Sequence, residues 1–434
     1  MFQKETIIKR NAKKIIVGYD LGRTFSQISY WDLGEEGPET VSAVAGTEQY
    51  NIPTVLCKRC GVGQWYYGKE ALKQVREEEG ILVEDLVTLA ERGEEVMVEG
   101  QSFDPVALLT LFVKRSLSLL NLHVSAGQIE AFMFTVDDLT PRMVDVLGKV
   151  AAGLQLSATH ICFQNHMESF YYYVLNQSPD LWKQDVMIFE YNRFMQTLCL
   201  ECNRRTIPQV VFIQKKEYPN MQRLTWSEEE EAREEQKAEL DNQFLEIVEQ
   251  ALEGHTTSTA FLLGEGFKEG WAKESLKRLC MNRRVFQGNN LYSKGACFGM
   301  AERIRPGEQS GKYVYLGEEK LKANIGMKVL RRGEESYFAV LDAGINWYEA
   351  KTEFEIILGS GNRVDFLITS LTGGHVTDKP MVLEGLPERP ENTTRLKVQV
   401  EMSAVNKATI TVEDLGFGEL FPTSGKGWTY TMEV

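Results

Sequence analysis

Short apolar runs alternate with amphipathic stretches along the first 305 residues of the chain. Strands are predicted at the apolar runs "IIVGYD", "IEAFMFTV", "DVMIFEY" and "STAFLL", and a turn or a helix follows each of them. Asp104-Pro105 and Thr140-Pro141 are typical helix starts, because a side-chain oxygen caps the helix and proline fits its first turn. Strands and helices in alternation predict an α/β domain over residues 1–305.

A charged stretch opens one long predicted helix. The run "EEEEAREE" follows Ser227, the expected N-cap, and carboxylates are favourable at a helix N-terminus. The apolar residues that recur at helical spacing beyond it are Leu240, Phe244, Ile247, Val248, Ala251 and Leu252. The acidic run is therefore expected to lie on the solvated face of a core helix, with a surface for a special partner as the alternative.

The pattern changes after residues 306–312, "PGEQSGK", which have the composition of a linker. Beyond them short segments alternate apolar and polar positions, and turn residues separate them: "YFAVL", "FEIIL", "VDFLITSL", "RLKVQVEM" and "ATITVED". No long helical period interrupts this series. The pattern predicts an all-β sandwich over residues 313–434.

The composition narrows the function classes. Of the 434 residues, 43% are hydrophobic and 25% charged, which is typical of a globular protein. The net charge of -14 argues against a broad nucleic-acid-binding surface. The apolar run "VALLTLFV" stops at Lys114, short of the roughly 18 residues of a membrane span, and "MFQKETIIKRNAKK" has no signal-peptide core. We expect a cytoplasmic protein that binds neither nucleic acid nor a membrane.

The seven cysteines are scattered, which favours free thiols over a disulfide framework. Two CxxC pairs raise the question of zinc. The pair Cys57/Cys60 lies in "CKRCGVG", which resembles a zinc knuckle, whereas Cys199/Cys202 lies in a predicted strand, where residues three apart face opposite sides. We expect no metal at either pair, with a zinc site as the alternative.

The first strand pair has the form of a phosphate-binding hairpin. In "IIVGYDLGRTFSQISYWD" the first strand ends at Asp20, Gly22 permits a tight turn, and Thr24 offers a hydroxyl. Backbone N–H groups and hydroxyls at such a turn suit a phosphate or a metal-bound water. The alternative is a tight hairpin that serves only folding.

Taken in order, these pieces resemble the DnaK-type heat-shock chaperones of the actin-like ATPase superfamily. The motifs that carry the resemblance across nearly the whole chain are "DLGRTFS", "NIPTVL", "YGKEALK", "KVAAGLQL", "NNLYSKGACFGMA", "IGMKVL" and "LEGLPERPENTTRLKVQVEM". The resemblance implies an actin-like, ribonuclease-H-like ATPase-type domain, followed by a sandwich that binds extended peptides. It also implies ATP or ADP with magnesium as the ligand of the first domain, and polypeptide segments or another protein as partners.

The resemblance assigns residual nucleotide binding to Asp20, Gly22, Thr24, Gly264 and Gly266. The two glycines of "GEGF" match part of an adenosine loop, although a plain strand-to-helix turn explains them equally well. In the second domain the resemblance assigns a peptide cleft to Phe338 and Val340. Strand alternation puts these two side chains on one face and Leu341 on the other, and core packing is the favoured alternative.

Several departures from the family pattern affect the phosphate chemistry. The second hairpin is "IFEYNRFMQT" where the family has "IFDLGGGT", so the side chains of Asn192, Arg193 and Phe194 replace glycines. Leu72 takes the place of a phosphate-facing lysine, although Lys73 is adjacent, and Asn165 takes the place of an acid. Relative to the family, we expect most of the subdomain that covers the adenine to be absent, together with the interdomain linker motif and the helical lid.

We therefore assign no catalytic residue, and the sequence alone establishes no cofactor. The five histidines show neither ligand spacing nor a nucleophile partner. The sequence predicts a DnaK-like, non-hydrolysing binding or adaptor protein. The alternatives are a slow, chaperone-like ATPase with a rearranged phosphate loop, and an actin-like assembly scaffold.

Overall fold

The structure is a computed structural model that describes residues 14–44, 46–77, 79–124, 126–156, 158–288, 290–307, 310–370 and 375–434. The chain divides into two compact units, Met1–Tyr313 and Val314–Val434. The first is mixed α/β and the second is rich in β-strands. Residues 1–13, to which the expectation of no signal peptide refers, lie outside the described residues, as do residues 308 and 309 of the predicted linker.

The first half of the first unit contains a mixed sheet and its covering helices. Its elements are β1 (Ile15–Asp20), β2 (Phe25–Asp32), β3 (Glu39–Thr40), β4 (Ile52–Pro53), β5 (Leu56–Arg59), β6 (Trp65–Tyr67), α1 (Gly68–Arg76), β7 (Gly80–Val83), α2 (Leu86–Arg92), β8 (Val96–Val98), β9 (Gln101–Phe103), α3 (Pro105–Ser116), β10 (Ile129–Val136), α4 (Pro141–Leu154), β11 (His160–Asn165) and α5 (His166–Leu175). The sheet order is β11-β10-β1-β2-β3. Strands β1, β10 and β11 are parallel, and β2 is antiparallel to β1.

The second half of the first unit contains another mixed sheet. Its elements are β12 (Asp185–Tyr191), β13 (Phe194–Asn203), β14 (Gln209–Gln222), α6 (Glu230–Leu252), β15 (Thr257–Leu263), α7 (Lys273–Leu279), β16 (Arg284–Gln287) and α8 (Leu291–Ile304). Within this unit the sheet order is β16-β15-β12-β13-β14. Strands β12, β15 and β16 are parallel, and β13 is antiparallel to β12 and β14.

The two sheets therefore repeat one plan of strand order and direction. In each, a hairpin (β1–β2 or β12–β13) lies beside two further parallel strands that the chain adds later. The carboxyl ends of parallel strands meet at one edge of a sheet, where ligands usually bind in α/β proteins. Each sheet thus brings a hairpin turn and several strand ends to one edge.

Both predicted helix starts are confirmed. The carboxylate of Asp104 accepts a hydrogen bond from the backbone N–H of Ala107 at 2.6 Å, and the Thr140 hydroxyl accepts one from Met143 at 3.1 Å. Each side chain satisfies a donor in the first turn, where the helix provides no acceptor. These caps fix where α3 and α4 begin against the sheet.

The long acidic helix begins later than predicted. Its N-cap is Glu229 rather than Ser227, because the Ser227 hydroxyl accepts a hydrogen bond from the Glu229 backbone N–H in the turn before α6. The predicted apolar stripe is confirmed, since Leu240, Phe244 and Val248 are buried. Phe244 packs edge-on against Phe189 of β12, with ring centroids 5.5 Å apart. The stripe therefore covers one face of the second sheet.

One helical stretch among the described residues, Pro105–Leu122, is long and apolar enough to span a membrane by length and composition. The prediction that the apolar stretch stops at Lys114 is wrong, because the apolar pattern resumes after Arg115 in the 3₁₀ segment Leu117–Leu122. Within the unit, 44% of the stretch is buried. Buried core helices pass the same test, so the stretch is weak evidence for a membrane span.

In its described residues the second unit forms two four-stranded antiparallel sheets. Beyond the short strand β17 (Tyr313–Tyr315), its strands are β18 (Ala323–Arg331), β19 (Glu334–Leu341), β20 (Lys351–Leu358), β21 (Arg363–Ser370), β22 (Val376–Val382), β23 (Thr394–Ala404), β24 (Lys407–Gly416) and β25 (Gly427–Glu433). The sheet orders are β19-β18-β21-β22 and β20-β23-β24-β25. In the second of these sheets the central strands β23 and β24 alternate buried and more exposed residues, as at Leu396, Val398 and Val400, so this sheet has one apolar face.

Candidate functional site

A cleft with a volume of about 420 Å³ lies in the first unit and is lined by residues of both its sheets. The turns of both hairpins face it, together with the carboxyl ends of β1, β10, β12 and β15. It is therefore the place where the repeated plan brings strand ends from the two halves together. Its size is within the range of small-molecule sites.

Four of the five residues predicted to bind nucleotide line this cleft: Asp20, Gly22, Thr24 and Gly264. The fifth, Gly266, does not line it. A side chain at Gly266 would collide with the ring of Tyr191, and a Cβ at Gly264 would lie 2.5 Å from the Tyr191 backbone oxygen. Both glycines thus pack closely against Tyr191 in the turn after β15.

The floor of the cleft contains an ion pair. Nε2 of His166 lies 2.8 Å from Oδ1 of Asp20, and the two side chains are 12% and 10% exposed. Burial lowers the pKa of His166, but the charges of Asp20, Asp137 and Glu190 outweigh burial and raise this pKa to about 9. His166 is therefore a cation at neutral pH.

An aromatic stack continues the floor from His166 towards the second sheet. The imidazole lies flat on the ring of Tyr292, with centroids 4.0 Å apart and planes 4° from parallel. The Tyr292 hydroxyl donates to Oε2 of Glu190 at 2.9 Å. Asp20, His166, Tyr292 and Glu190 thus form a continuous chain of contacts across the cleft floor, which we name the floor chain.

Glu190 is held by neighbours on both sides. In addition to Tyr292, its carboxylate accepts hydrogen bonds from Gln196 at 2.7 Å and from Asn192 at 2.8 Å. Burial raises the pKa of this carboxyl, opposed by the charge of His166 and by the hydrogen bonds from Gln196 and Tyr292. Its oxygens are thus engaged by protein groups.

Two more carboxylates line the cleft after β10. Asp137 pairs with Lys215 of β14 at 3.2 Å. Burial opposes ionisation of Asp137, but His166 and Lys215 outweigh it and lower the pKa of its carboxyl. Burial and the charge of Asp137 raise the pKa of Asp138. This side of the cleft is acidic, and a bare phosphate there would be repelled.

The two hairpin turns also bring arginines to the cleft. Arg23, in the first turn, pairs with Glu91 at 2.9 Å and donates to Thr88 at 2.8 Å. Arg193, in the second turn, lines the cleft beside Asn192. The described lining residues include no lysine: Leu72 packs in an apolar cluster with Cys57 and Ala71, and the Lys73 side chain is 54% exposed.

Sequence reasoning missed His166 and Tyr292. It considered Asn165 on the connecting helix, but Asn165 is the buried N-cap of α5 and accepts a hydrogen bond from the Glu168 backbone N–H. The next residue, His166, faces Asp20 instead. One signal was present: Asp20, Asp137 and His166 all lie at or just after the ends of predicted strands, and the ends of parallel strands meet.

A second cleft, of about 1080 Å³, lies within the second unit and is lined by both of its sheets. Phe338 lines it and is 37% exposed, whereas Val340 is buried and does not line it. The predicted alternation is wrong here. Ile325 pairs with Leu341 and Gly326 with Ala339, so Val340 is the extra residue of a β-bulge, which turns Val340 and Leu341 both inwards.

One group of three metal-ligand side chains occurs among the described residues, and it lies outside both clefts. It consists of Asp185, Cys199 and His255, whose donor atoms are within 4.8 Å of one another. The seven cysteines are free thiols. In the other CxxC pair, Cys57 is buried and Cys60 is exposed.

Comparison with protein families divides the chain close to the boundary of the two units. Residues 37–318 match the model described as the C-terminal part of a family of unknown function, DUF5716. Residues 320–434 match a domain of unknown function, DUF8552. The hairpin β1–β2 with Asp20 precedes the first matched range. A search of curated proteins found no match.

Proposed function

Because the chain belongs to the DUF5716 family, whose description gives no activity, we propose a function from the geometry of its clefts. The protein is a DnaK-like binding or adaptor protein. Its first unit holds a nucleotide with magnesium without hydrolysing it. Its second unit binds extended, apolar polypeptide segments.

The observation that carries the lack of hydrolysis is the ion pair of Asp20 with His166. Phosphoryl transfer depends on positioning the phosphate, the magnesium ion and the attacking water, and carboxylate oxygens usually hold such an ion or its waters. Here the protonated His166 already pairs with the Asp20 carboxylate at 2.8 Å. A magnesium ion would have to displace this cation or bind beside it against charge repulsion.

The second hairpin supports the same conclusion. Backbone N–H groups of a glycine turn can surround a phosphate, whereas side chains fill that space. Asn192 donates to Glu190 and accepts a weak hydrogen bond from the Glu265 backbone N–H at 3.4 Å. The Asn192 side chain therefore closes this turn, which favours binding over turnover.

Binding itself is supported by the volume and charge of the cleft. Arg23 and Arg193 provide positive charge at the two turns, whereas Asp137 and Asp138 repel a bare polyphosphate. A magnesium ion would screen this repulsion. The ligand expected here is consequently ATP or ADP together with magnesium.

The second cleft supports the peptide part of the proposal. Apolar side chains from both sheets line it, among them Met327, Phe338 and Phe354. Leu330 and Ile357 on the same lining are 72% and 54% exposed. Exposed apolar side chains in a concave surface are typical of a site for apolar chain segments.

The decisive experiment measures binding and phosphate release with the full chain. We expect magnesium-ATP and magnesium-ADP to raise the Tm equally, with no phosphate release above a protein-free blank. Asp20→Asn is the test variant, and Asp180→Asn is its control. Asp180 is an exposed carboxylate outside the cleft, paired with Lys183 at 4.0 Å.

Two results would contradict the proposal. Phosphate release that Asp20→Asn abolishes and Asp180→Asn preserves would establish the slow ATPase instead. If neither nucleotide raises the Tm of the wild type, the proposed nucleotide binding by the first unit is contradicted.

A further inference from the structure

Three side chains with different donor atoms converge at the end of the second sheet that lies away from the cleft. Nδ1 of His255 lies 3.1 Å from Oδ2 of Asp185 and 3.6 Å from Sγ of Cys199. The three donor atoms are all within 4.8 Å of one another. A carboxylate, an imidazole and a thiol thus face one point.

Strand register explains why these residues meet. Cys199 of β13 pairs with Met187 of β12, and Met187 is two residues after Asp185, so the side chains of Asp185 and Cys199 share a face. Asp185 also pairs with Thr257 at the start of β15, and His255 lies just before that strand. Three chain segments therefore supply one residue each.

The arrangement differs from that of a cysteine nucleophile with its base. In a catalytic triad the nucleophile and the orienting carboxylate contact different ring nitrogens. Here Cys199 and Asp185 both approach Nδ1 of His255. A single N–H at this nitrogen cannot satisfy both partners well, whereas a cation at the shared point would satisfy all three donors.

We propose that Asp185, Cys199 and His255 form a zinc site. Zinc prefers nitrogen, thiolate and carboxylate ligands in a tetrahedron, with bonds of about 2.3 Å to sulfur and about 2.0–2.2 Å to nitrogen and oxygen. Those bond lengths place the nitrogen about 3.6 Å from the sulfur and about 3.4 Å from the oxygen. The distances in the structure, 3.6 and 3.1 Å, are close to both values.

The site has room for a further ligand. Asp185 and His255 are each 26% exposed, so water reaches the metal position. Three protein ligands with an open fourth position are typical of zinc sites that bind water or a small ligand. Glu190 is five positions after Asp185 along the extended strand, which corresponds to about 17 Å. The site is therefore distinct from the cleft and independent of the proposed function.

The experiment uses the full chain after removal of metal with a chelator. Zinc affinity is measured by competition with a chromophoric chelator, and Co²⁺ is added separately to detect thiolate coordination by its charge-transfer absorption. We expect one tight site per chain. Cys199→Ser and His255→Gln should weaken binding by more than the 10–100-fold typical of lost outer-shell partners, and Cys199→Ser should abolish the charge-transfer band.

The matched control is Cys202→Ser. Cys202 is on the same strand, three residues away, and contacts Gln209 at 3.5 Å instead of His255. This variant should retain the wild-type zinc affinity and the Co²⁺ charge-transfer band. If Cys199→Ser fails to fold, Asp185→Asn, which keeps the shape of the side chain, should still lower the zinc affinity. Zinc binding that is weak in the wild type, or unchanged in the Cys199 and Asp185 variants, overturns the proposal.

Discussion

Oδ1 of Asp20 and Nε2 of His166 lie 2.8 Å apart although 146 residues separate them along the chain. Asp20 ends β1 and His166 follows β11, and β10 lies between these two strands. The contact therefore depends on the order of the parallel strands. It also depends on charge, because Asp20, Asp137 and Glu190 all stabilise the protonated imidazole.

We predict that His166 makes the stability of the protein fall between neutral and alkaline pH. Its pKa is raised from an ordinary value of about 6.5 to about 9 in the folded state. The stabilisation is therefore complete below about pH 6.5 and is lost as the pH rises through about 9, by at most about 3 kcal/mol. The measurement is the free energy of unfolding in urea across this range.

The comparison for this prediction is between His166→Gln and His160→Gln. His160 is exposed at the opposite end of β11, so its replacement should leave the wild-type pH profile unchanged. His166→Gln should flatten the profile. Equal slopes in the wild type and in His166→Gln would show that the imidazole is not charged in the folded protein.

We predict that Gly264→Ala is much more destabilising than Gly270→Ala. Both glycines have positive φ, +100° and +64°, so alanine is strained at both. Only at Gly264 would the new Cβ lie 2.5 Å from the backbone oxygen of Tyr191, while nothing lies within 4 Å at Gly270. In urea unfolding, we expect the free energy of unfolding to fall by about 3 kcal/mol or more for Gly264→Ala and by about 1 kcal/mol for Gly270→Ala. Similar losses would mean that the turn can shift away from Tyr191.

We predict that Phe338 and Val340 differ in role although they are two residues apart. Phe338→Ala should weaken binding of a fluorescent apolar peptide about tenfold or more, because a buried Phe side chain contributes roughly 1.5–3 kcal/mol. Val340→Ala should lower stability by about 2 kcal/mol and leave the affinity unchanged, because Val340 is in the core. No saturable binding by the wild type would contradict the peptide cleft itself.

We predict that the ion pair of Arg389 and Asp414 is essential to the stability of the second unit. Two parallel bonds of 2.8 and 2.7 Å join them, and their side chains are 5% and 0% exposed. Arg389→Met leaves the buried Asp414 carboxylate with its backbone donors from Gly416 and Ser424 but without a cation, and should cost about 3–5 kcal/mol. The control Arg395→Met, which breaks an exposed 3.6 Å pair with Glu355, should cost less than about 1 kcal/mol in the same denaturation experiment.

Several elements of the fold were predictable because their signals are local. The apolar runs at β10 and β12 match the strands residue for residue, and the caps at Asp104 and Thr140 begin helices where expected. The division near residue 313 follows a change of periodicity that is visible in the sequence. Such features depend on residues within a few positions of one another.

The features that sequence reasoning missed depend on distant neighbours. The environment of His166 comes from four elements, so the residues beside it in the chain do not indicate its charge. The bulge at Val340 depends on the partner strand, because alternation within β19 alone gives no sign of it. The packing of Gly266 against Tyr191 likewise arises only when β12 and β15 are adjacent.

The floor chain has a mechanical consequence. α8 packs on the first sheet, so the bond from Tyr292 to Glu190 ties that sheet to the second. Lys215 with Asp137, and Asn51 with Glu265, connect the parts of the chain around the same two sheets at the sides of the cleft. A hinge motion that separates the two sheets would break all of these contacts together. Ligand exchange is therefore expected to proceed through local movement of the two hairpin turns, while the floor chain stays in place and keeps the two sheets at a fixed separation.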